Sequence, residues 1–119
     1  MSERIVLRDL FGPTQDFSKL AWKPFRSGVD IVRIYGDGEG SGASAALLRY
    51  APGARIPTHA HTGYEHIVVL AGSQRDEDGT YNTGTCLIHG DGTTHTVASD
   101  DGCIVLAIWQ SPVRFVEQT

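Results

Sequence analysis

A chain of 119 residues has room for one domain of ordinary size and not for two. With 40% hydrophobic and only 20% charged residues it can bury a core, and it is not a disordered acidic segment. A formal net charge of -4, with Lys and Arg scattered, excludes the basic surface that binding to a nucleic-acid backbone requires.

The N-terminal stretch holds a short apolar run broken by Arg8 and Asp9, which does not make a secretory signal. The apolar segment Ile67 to Ala71 is too short to cross a bilayer. We therefore expect a cytoplasmic protein with no membrane partner. In that reducing setting Cys86 and Cys103 read as thiols rather than a disulfide. Neither has the spacing of a zinc knuckle.

Residues 1–27 read as an irregular N-terminal arm. Ile5 to Leu7 form a candidate edge strand, and Trp22, Pro24 and Phe25 are candidates to dock the arm on a larger body. Residues 28–119 read as strands separated by glycine turns. Val29 to Tyr35 is rich in β-branched residues and is followed by a Gly-Asp-Ser turn from Gly36 to Gly42. Ala45 to Tyr50 is a second strand, ended by Pro52-Gly53. Glu65 to Ala71 is the strongest strand signal; after Gly72 the chain continues as a polar strand, Ser73 to Asp76, into the Asp78-Gly79 turn. Cys86 to Ile88, His95 to Val97 and Cys103 to Trp109 follow, and Val113 to Val116 forms a last edge. No segment keeps an apolar face at helical period for more than two turns. Short strands with 14 glycines in the chain predict an all-β sandwich or barrel.

His59 and His61 stand two residues apart, so on an extended strand both imidazoles face the same way. Glu65 follows across a glycine that permits a bend, and His95 arrives from a distant strand. Any one of these histidines alone would read as a surface residue. Three imidazoles and a carboxylate together form a donor set for one divalent ion per chain, among them iron, zinc, manganese and nickel. The segment is not a helical His-Glu-x-x-His site, and no Gly-x-Ser-x-Gly elbow is present. The Gly-Asp-Gly runs at Gly36 and Gly90 lack the lysine and helix of a phosphate loop.

The stretch Gly53-(5 residues)-His59-Ala60-His61-(3 residues)-Glu65-(6 residues)-Gly72 resembles the first motif of the cupin family. Gly84-(5 residues)-Gly90-Asp91-Gly92-(2 residues)-His95-(3 residues)-Ser99 resembles the second. Gly90 stands where the family usually has proline and Ser99 where it usually has asparagine, both turn-shaping positions. The stretches His59 to Gly72, Asp76 to Tyr81, Gly92 to Thr96 and Asp100 to Cys103 resemble the cupin-like domain of the ChrR anti-sigma factors and its single-domain relatives. That resemblance implies a single jelly-roll barrel (double-stranded β-helix), with His59, His61, Glu65 and His95 as metal ligands. The anti-sigma factors carry a helical, zinc-binding domain ahead of the cupin. The residues before Gly53 hold no helical pattern and no His or Cys, so a free-standing barrel is expected here.

Beside its ligand role, Glu65 is the candidate catalytic base. Ile67 and Val69 share its parity and should line the interior, whereas His66 should face outward. Val68 and Leu70 then need cover on the outer face, which predicts a homodimer. Arg49, Tyr50, Tyr64, Gln74 and Trp109 are candidates for a pocket wall, with Arg49 suited to a carboxylate-bearing ligand. Tyr81 reads as a packing residue and His89 as a solvent or rim residue. Two functions are in view. One is a metal-dependent enzyme, a dioxygenase acting on a small hydroxylated or keto compound. The other is a non-catalytic metal- or ligand-binding module with a sensory role.

Overall fold

Alternation of apolar and polar side chains dictates strands, and strands are what the chain forms. The computed structural model describes residues 4–12, 15–40 and 42–115. Apart from one 3-10 turn at Phe17–Lys19, its regular structure is β. The strands are β1 (Lys23–Arg26), β2 (Val29–Tyr35), β3 (Ser44–Tyr50), β4 (Ala54–Ala60) and β5 (Glu65–Asp76). They continue as β6 (Gly79–Asn82), β7 (Cys86–His89), β8 (Thr94–Ser99), β9 (Cys103–Trp109) and β10 (Arg114–Phe115). All neighbours pair antiparallel, in the order β1-β2-β3-β9-β5-β8-β4-β10, with β6 and β7 also on β5. This is the expected jelly-roll barrel.

β5 joins the two halves. Its first part lies between β7 and β9, and its tail pairs with β6 and touches β8. Gly72 marks the change of sheet, with φ +72°. A Cβ there would lie 2.1 Å from the Gly102 carbonyl oxygen, so only glycine lets the two chains meet. Inside, Val29, Ile31, Leu48, Ile56, Val69, Val97 and Val105 interdigitate, joined by Cys103 and Trp109. β9 alternates strictly, burying Cys103, Val105, Ala107 and Trp109. β3 is buried on both faces because Ile5, Val6 and Leu7 lie near Leu47 on its outer side.

Several elements differ from the sequence reading. Ile5 to Leu7 is not a strand, and the end of the arm is: β1 pairs with β2, and Phe25 packs on the core. Of β4 the sequence predicts only the extended stretch at His59, because Arg55 and Pro57 interrupt the pattern before it, and it does not predict β6, a short half-exposed hairpin arm. Ser41 and Val116, within the predicted turn and last edge, lie outside the described residues. Both cysteines are free, Cys86 exposed and Cys103 buried. Among the described residues, no helix is long and apolar enough to cross a membrane.

The Gly72 contact yields a direct test. Gly72→Ala adds a left-handed strain and a backbone collision, and should cost about 2–4 kcal/mol in urea denaturation. Gly40→Ala, where φ is also positive but nothing lies within 4 Å, should cost about 1 kcal/mol.

Candidate metal centre

A β-bulge aims the first donor. β4 and β8 pair Ile56 with Val97 and His59 with His95, so three steps on β4 match two on β8. The extra residue reverses parity, which lets Ile56 and His59 both face inward. Pro57, which has no N–H to give a ladder, sits in the bulge, and Thr58 and Thr96 share a hydroxyl hydrogen bond of 2.6 Å beside it. His61 follows two residues on and faces the same way. Glu65 opens β5 after the Gly63 bend, and His95 stands directly opposite His59.

The four side chains converge and are buried, each 6% exposed or less. His59 Nε2 lies 2.9 Å from His95 Nε2, and His61 Nε2 lies 3.0 Å from Glu65 Oε1. One donor atom from each of the four lies within 4.8 Å of the others. Two bonds of about 2.1 Å span at most about 4.2 Å, so the set closes on an ion with small side-chain shifts.

Hydrogen bonding outside the cluster sets the tautomers. His59 Nδ1 is 3.0 Å from the Pro57 carbonyl oxygen, which can only accept. Nδ1 therefore carries the proton and Nε2 presents its lone pair inward. The Thr93 hydroxyl donates to the Gly90 carbonyl at 2.6 Å and so accepts from His61 Nδ1 at 2.8 Å. His61 Nε2 is likewise left bare and has no well-aligned hydrogen-bond partner despite its burial. The Trp109 indole N–H donates to Glu65 Oε2 at 2.5 Å, leaving Oε1 free. A buried convergence of imidazole lone pairs and one carboxylate fits a divalent cation, and the outer hydrogen bonds hold His59, His61 and Glu65 in the binding form.

The electrostatics agree. Burial drives the His95 imidazolium form down to about 4, and the neighbouring His59 adds to the effect. His59 is lowered by burial in the same way. For Glu65 burial alone acts upward, but the adjacent His61 and the Trp109 N–H outweigh it, so the carboxylate is favoured.

An inner cavity of about 40 Å³ abuts the cluster. Phe25, Leu48, Ile56, Ile67, Val97 and Phe115 make it apolar, and Tyr50 and Gln74 add polar groups. Gln74 and Trp109 thus stand on the wall with Glu65. Arg49 does not: it alternates with Leu48 and Tyr50, points to the other face of β3, pairs with Asp30 at 2.9 Å and lies 4.5 Å over the Trp22 ring. Tyr64 is 57% exposed and lines no part of the cavity. Both corrections follow from strand parity, which the composition of those segments does not reveal. His66 lies on the outer parity and is only partly buried, while Ile67 and Val69 are buried inside. His89 departs from the expected rim position. It is the cross-strand partner of Glu65, and its ring stacks on His61 at 4.9 Å and 10°. Asp76, read only as a strand end, has its carboxylate 3.7 Å from His95 Nδ1. The β5–β7 register would have found His89, and that register is not local information.

These shifts give a pH dependence. Between the ordinary histidine value of 6.5 and about 4, the unfolded chain takes up protons that His95 refuses, so stability is full above that window and is lost as the pH falls through it. Thermal melts of metal-stripped protein should show the midpoint falling steadily across that range.

Comparison with known proteins places the fold and site in context. A family model described as the ChrR cupin-like domain matches residues 13–113. The anti-sigma-E factor ChrR of Cereibacter sphaeroides is 34% identical over 96 residues, covering 79% of this chain and 44% of that protein. The crystal structure of Rhodobacter sphaeroides SigE in complex with the anti-sigma ChrR superposes with a TM-score of 0.68 at 30% identity, covering 79% of this chain and 50% of that one. An acetylacetone dioxygenase from Acinetobacter johnsonii shares the fold, with a TM-score of 0.77 at 14% identity over 99% of this chain and 80% of that one. The chain spans half or less of the ChrR proteins it matches. With the family model running through nearly the whole barrel, the chain belongs to the ChrR cupin-like domain family.

Proposed function

We propose that this chain is a metal-dependent cupin enzyme, a dioxygenase acting on a small hydroxylated or keto compound, with His59, His61, Glu65 and His95 as ligands. The observation that carries this reading is the apolar chamber placed directly against the donor cluster. Phe25, Trp109, Val113 and Phe115 line both that chamber and an outer vestibule of about 210 Å³, where Arg26 and Arg33 stand. An ion of iron, manganese or nickel in this set supplies Lewis-acid and redox chemistry with exchangeable positions, whereas zinc supplies the Lewis acid alone.

The chain's own residues do the rest. Leu48, Ile56, Ile67 and Val97 bind the apolar body of a ligand, and Gln74 and Tyr50 orient its oxygens. Phe25 and Phe115 separate chamber from vestibule and exclude water; the Arg26 guanidinium, 3.6 Å over the Phe115 ring, holds that ring in place. Glu65, kept ionised and oriented by Trp109, is the base nearest the chamber. An inner volume of about 40 Å³ takes only a few waters or a molecule of similar size. A diketone-sized substrate therefore requires the phenylalanine rings to swing aside.

That same small volume favours a second reading, a sensory module responding to a very small ligand such as dioxygen or peroxide. The kinship with an anti-sigma factor points the same way. Elemental analysis of protein purified anaerobically without added metal separates the two. One iron or manganese per chain, lost in His59→Ala, together with oxygen consumption on catechols or diketones, is the outcome expected for the enzyme. Tightly held zinc with no oxygen consumption on any of these compounds supports the sensory reading. Metal in neither protein, with the barrel folded, removes the basis of both.

We also infer a homodimer formed through the outer face of β5, β7 and β9. Val68 and Leu106 are only partly covered there, and Ile88 is 61% exposed. Light scattering should give twice the chain mass for the native protein, and Ile88→Lys should shift it to the monomer.

A further inference from the structure

His95 has two ring nitrogens, and only Nε2 faces the four-donor cluster. Its Nδ1 points the other way, is buried, and has no hydrogen-bond partner. What it faces is Asp76 Oδ2, 3.7 Å away, with the two side chains only 6% and 7% exposed. His89 closes the group: its Nε2 is also buried and unpartnered. One donor atom each from Asp76, His89 and His95 lies within 4.8 Å of the others.

We propose that Asp76, His89 and Nδ1 of His95 form a second divalent-cation site that shares His95 with the first. The three donors are held by contacts independent of any ion. Asp76 Oδ1 accepts from the Asp78 N–H and the Tyr81 hydroxyl, both at 2.9 Å, which turns Oδ2 toward His95. The His89 ring is fixed between His61, stacked at 4.9 Å, and His95, edge-on at 4.4 Å. The fold brings them together because β5 runs past the Gly72 bend to deliver Asp76, while β7 ends on the residue opposite Glu65.

Buried polar atoms without partners show why a cation belongs there. His95 Nδ1 and His89 Nε2 are both buried and unpartnered beside the Asp76 carboxylate. Unsatisfied polar atoms in a buried site cost free energy that a bound cation removes. Asp76 also lines a surface hollow with Arg55, Arg75, Glu77 and Thr96, on a different side from the vestibule. Arg75 there is neutralised by Asp100 at 2.9 Å. Three protein donors leave a place for water, in the manner of an exchangeable site.

The shared ring couples the two sites. An ion in the inner cluster takes the Nε2 lone pair and leaves the proton on Nδ1, pointing at Asp76. An ion in the outer set needs the opposite tautomer. A neutral imidazole serves one site at a time, and both fill together only if the ring releases its last proton to solvent. The outer site is therefore the weaker one when the inner is occupied.

Titration of the ¹⁵N-labelled full chain with Zn²⁺, read by the NMR shifts of each imidazole nitrogen, tests this directly. The first equivalent should move Nε2 of His59, His61 and His95. A second, at least about tenfold weaker, should move Nε2 of His89 and Nδ1 of His95. His59→Ala, which removes an inner ligand that does not touch His89, should strengthen the His89 response, and adding His89→Ala or Asp76→Asn should abolish it. If saturating Zn²⁺ leaves the His89 nitrogens unmoved in both wild type and His59→Ala, the proposal is overturned. A second equivalent that persists unchanged in His89→Ala overturns it as well, and that comparison stands even where His59→Ala fails to fold. Shifts at His89 without shifts at His59 and His61 would keep the outer site and remove the inner one.

Discussion

Three imidazoles and a carboxylate meet in the barrel with almost no access to water, and the rest of the structure answers that constraint. Each group loses hydration on burial, and bare lone pairs turned toward one another repel. Inside the cluster His59 Nε2 lies 2.9 Å from His95 Nε2 and His61 Nε2 lies 3.0 Å from Glu65 Oε1, contacts that a cation between them would satisfy. The surrounding contacts make this arrangement specific. Pro57, Thr93 and Trp109 each take or give one hydrogen bond at the back of a ligand, and each bond leaves the inward atom free. Such outer contacts favour metal binding because these three ligands need no change of rotamer or tautomer to meet an ion.

The barrel delivers those groups through three backbone devices. The bulge in β4 turns His59 inward, the Gly63 bend starts β5 with Glu65, and Gly72 allows β5 to leave one sheet for the other. Together they put the donors at one end of an apolar interior and place Phe25 and Phe115 between that interior and solvent. A shape of this kind concentrates the chemistry at a dry wall. The low dielectric there strengthens every interaction between a ligand's oxygens and the site. Likeness to structural neighbours at low identity speaks for the scaffold alone.

Kinship with an anti-sigma factor and fold likeness to a dioxygenase need not be in conflict. A buried ion beside a small apolar chamber can bind an oxygen species, and binding serves either turnover or signalling. What decides between them is whether a substrate larger than the chamber can enter and whether a conformational change reaches the outer surface. Phe25 stands on β1, at the end of the arm, and packs on the core beside the chamber.

Much of this was written in the chain itself. Donor types at His59, His61, Glu65 and His95, glycine turns, and strands such as Val29–Tyr35 and Cys103–Trp109 depend on residue identity and near-neighbour periodicity, which act within a few residues. Parity beyond a bulge does not. One extra residue between Ile56 and His59 flips the face of everything after it, and no composition announces it. Register between strands distant in sequence is equally hidden, and it is register that sets His89 opposite Glu65, brings Trp109 to the same carboxylate and turns Arg49 outward to Asp30. The sequence by itself determined which atoms could hold a metal and the all-β frame around them. Only the tertiary structure decided which of those atoms meet, because side-chain direction on a strand has a period of two and is fixed by pairing with partners far along the chain.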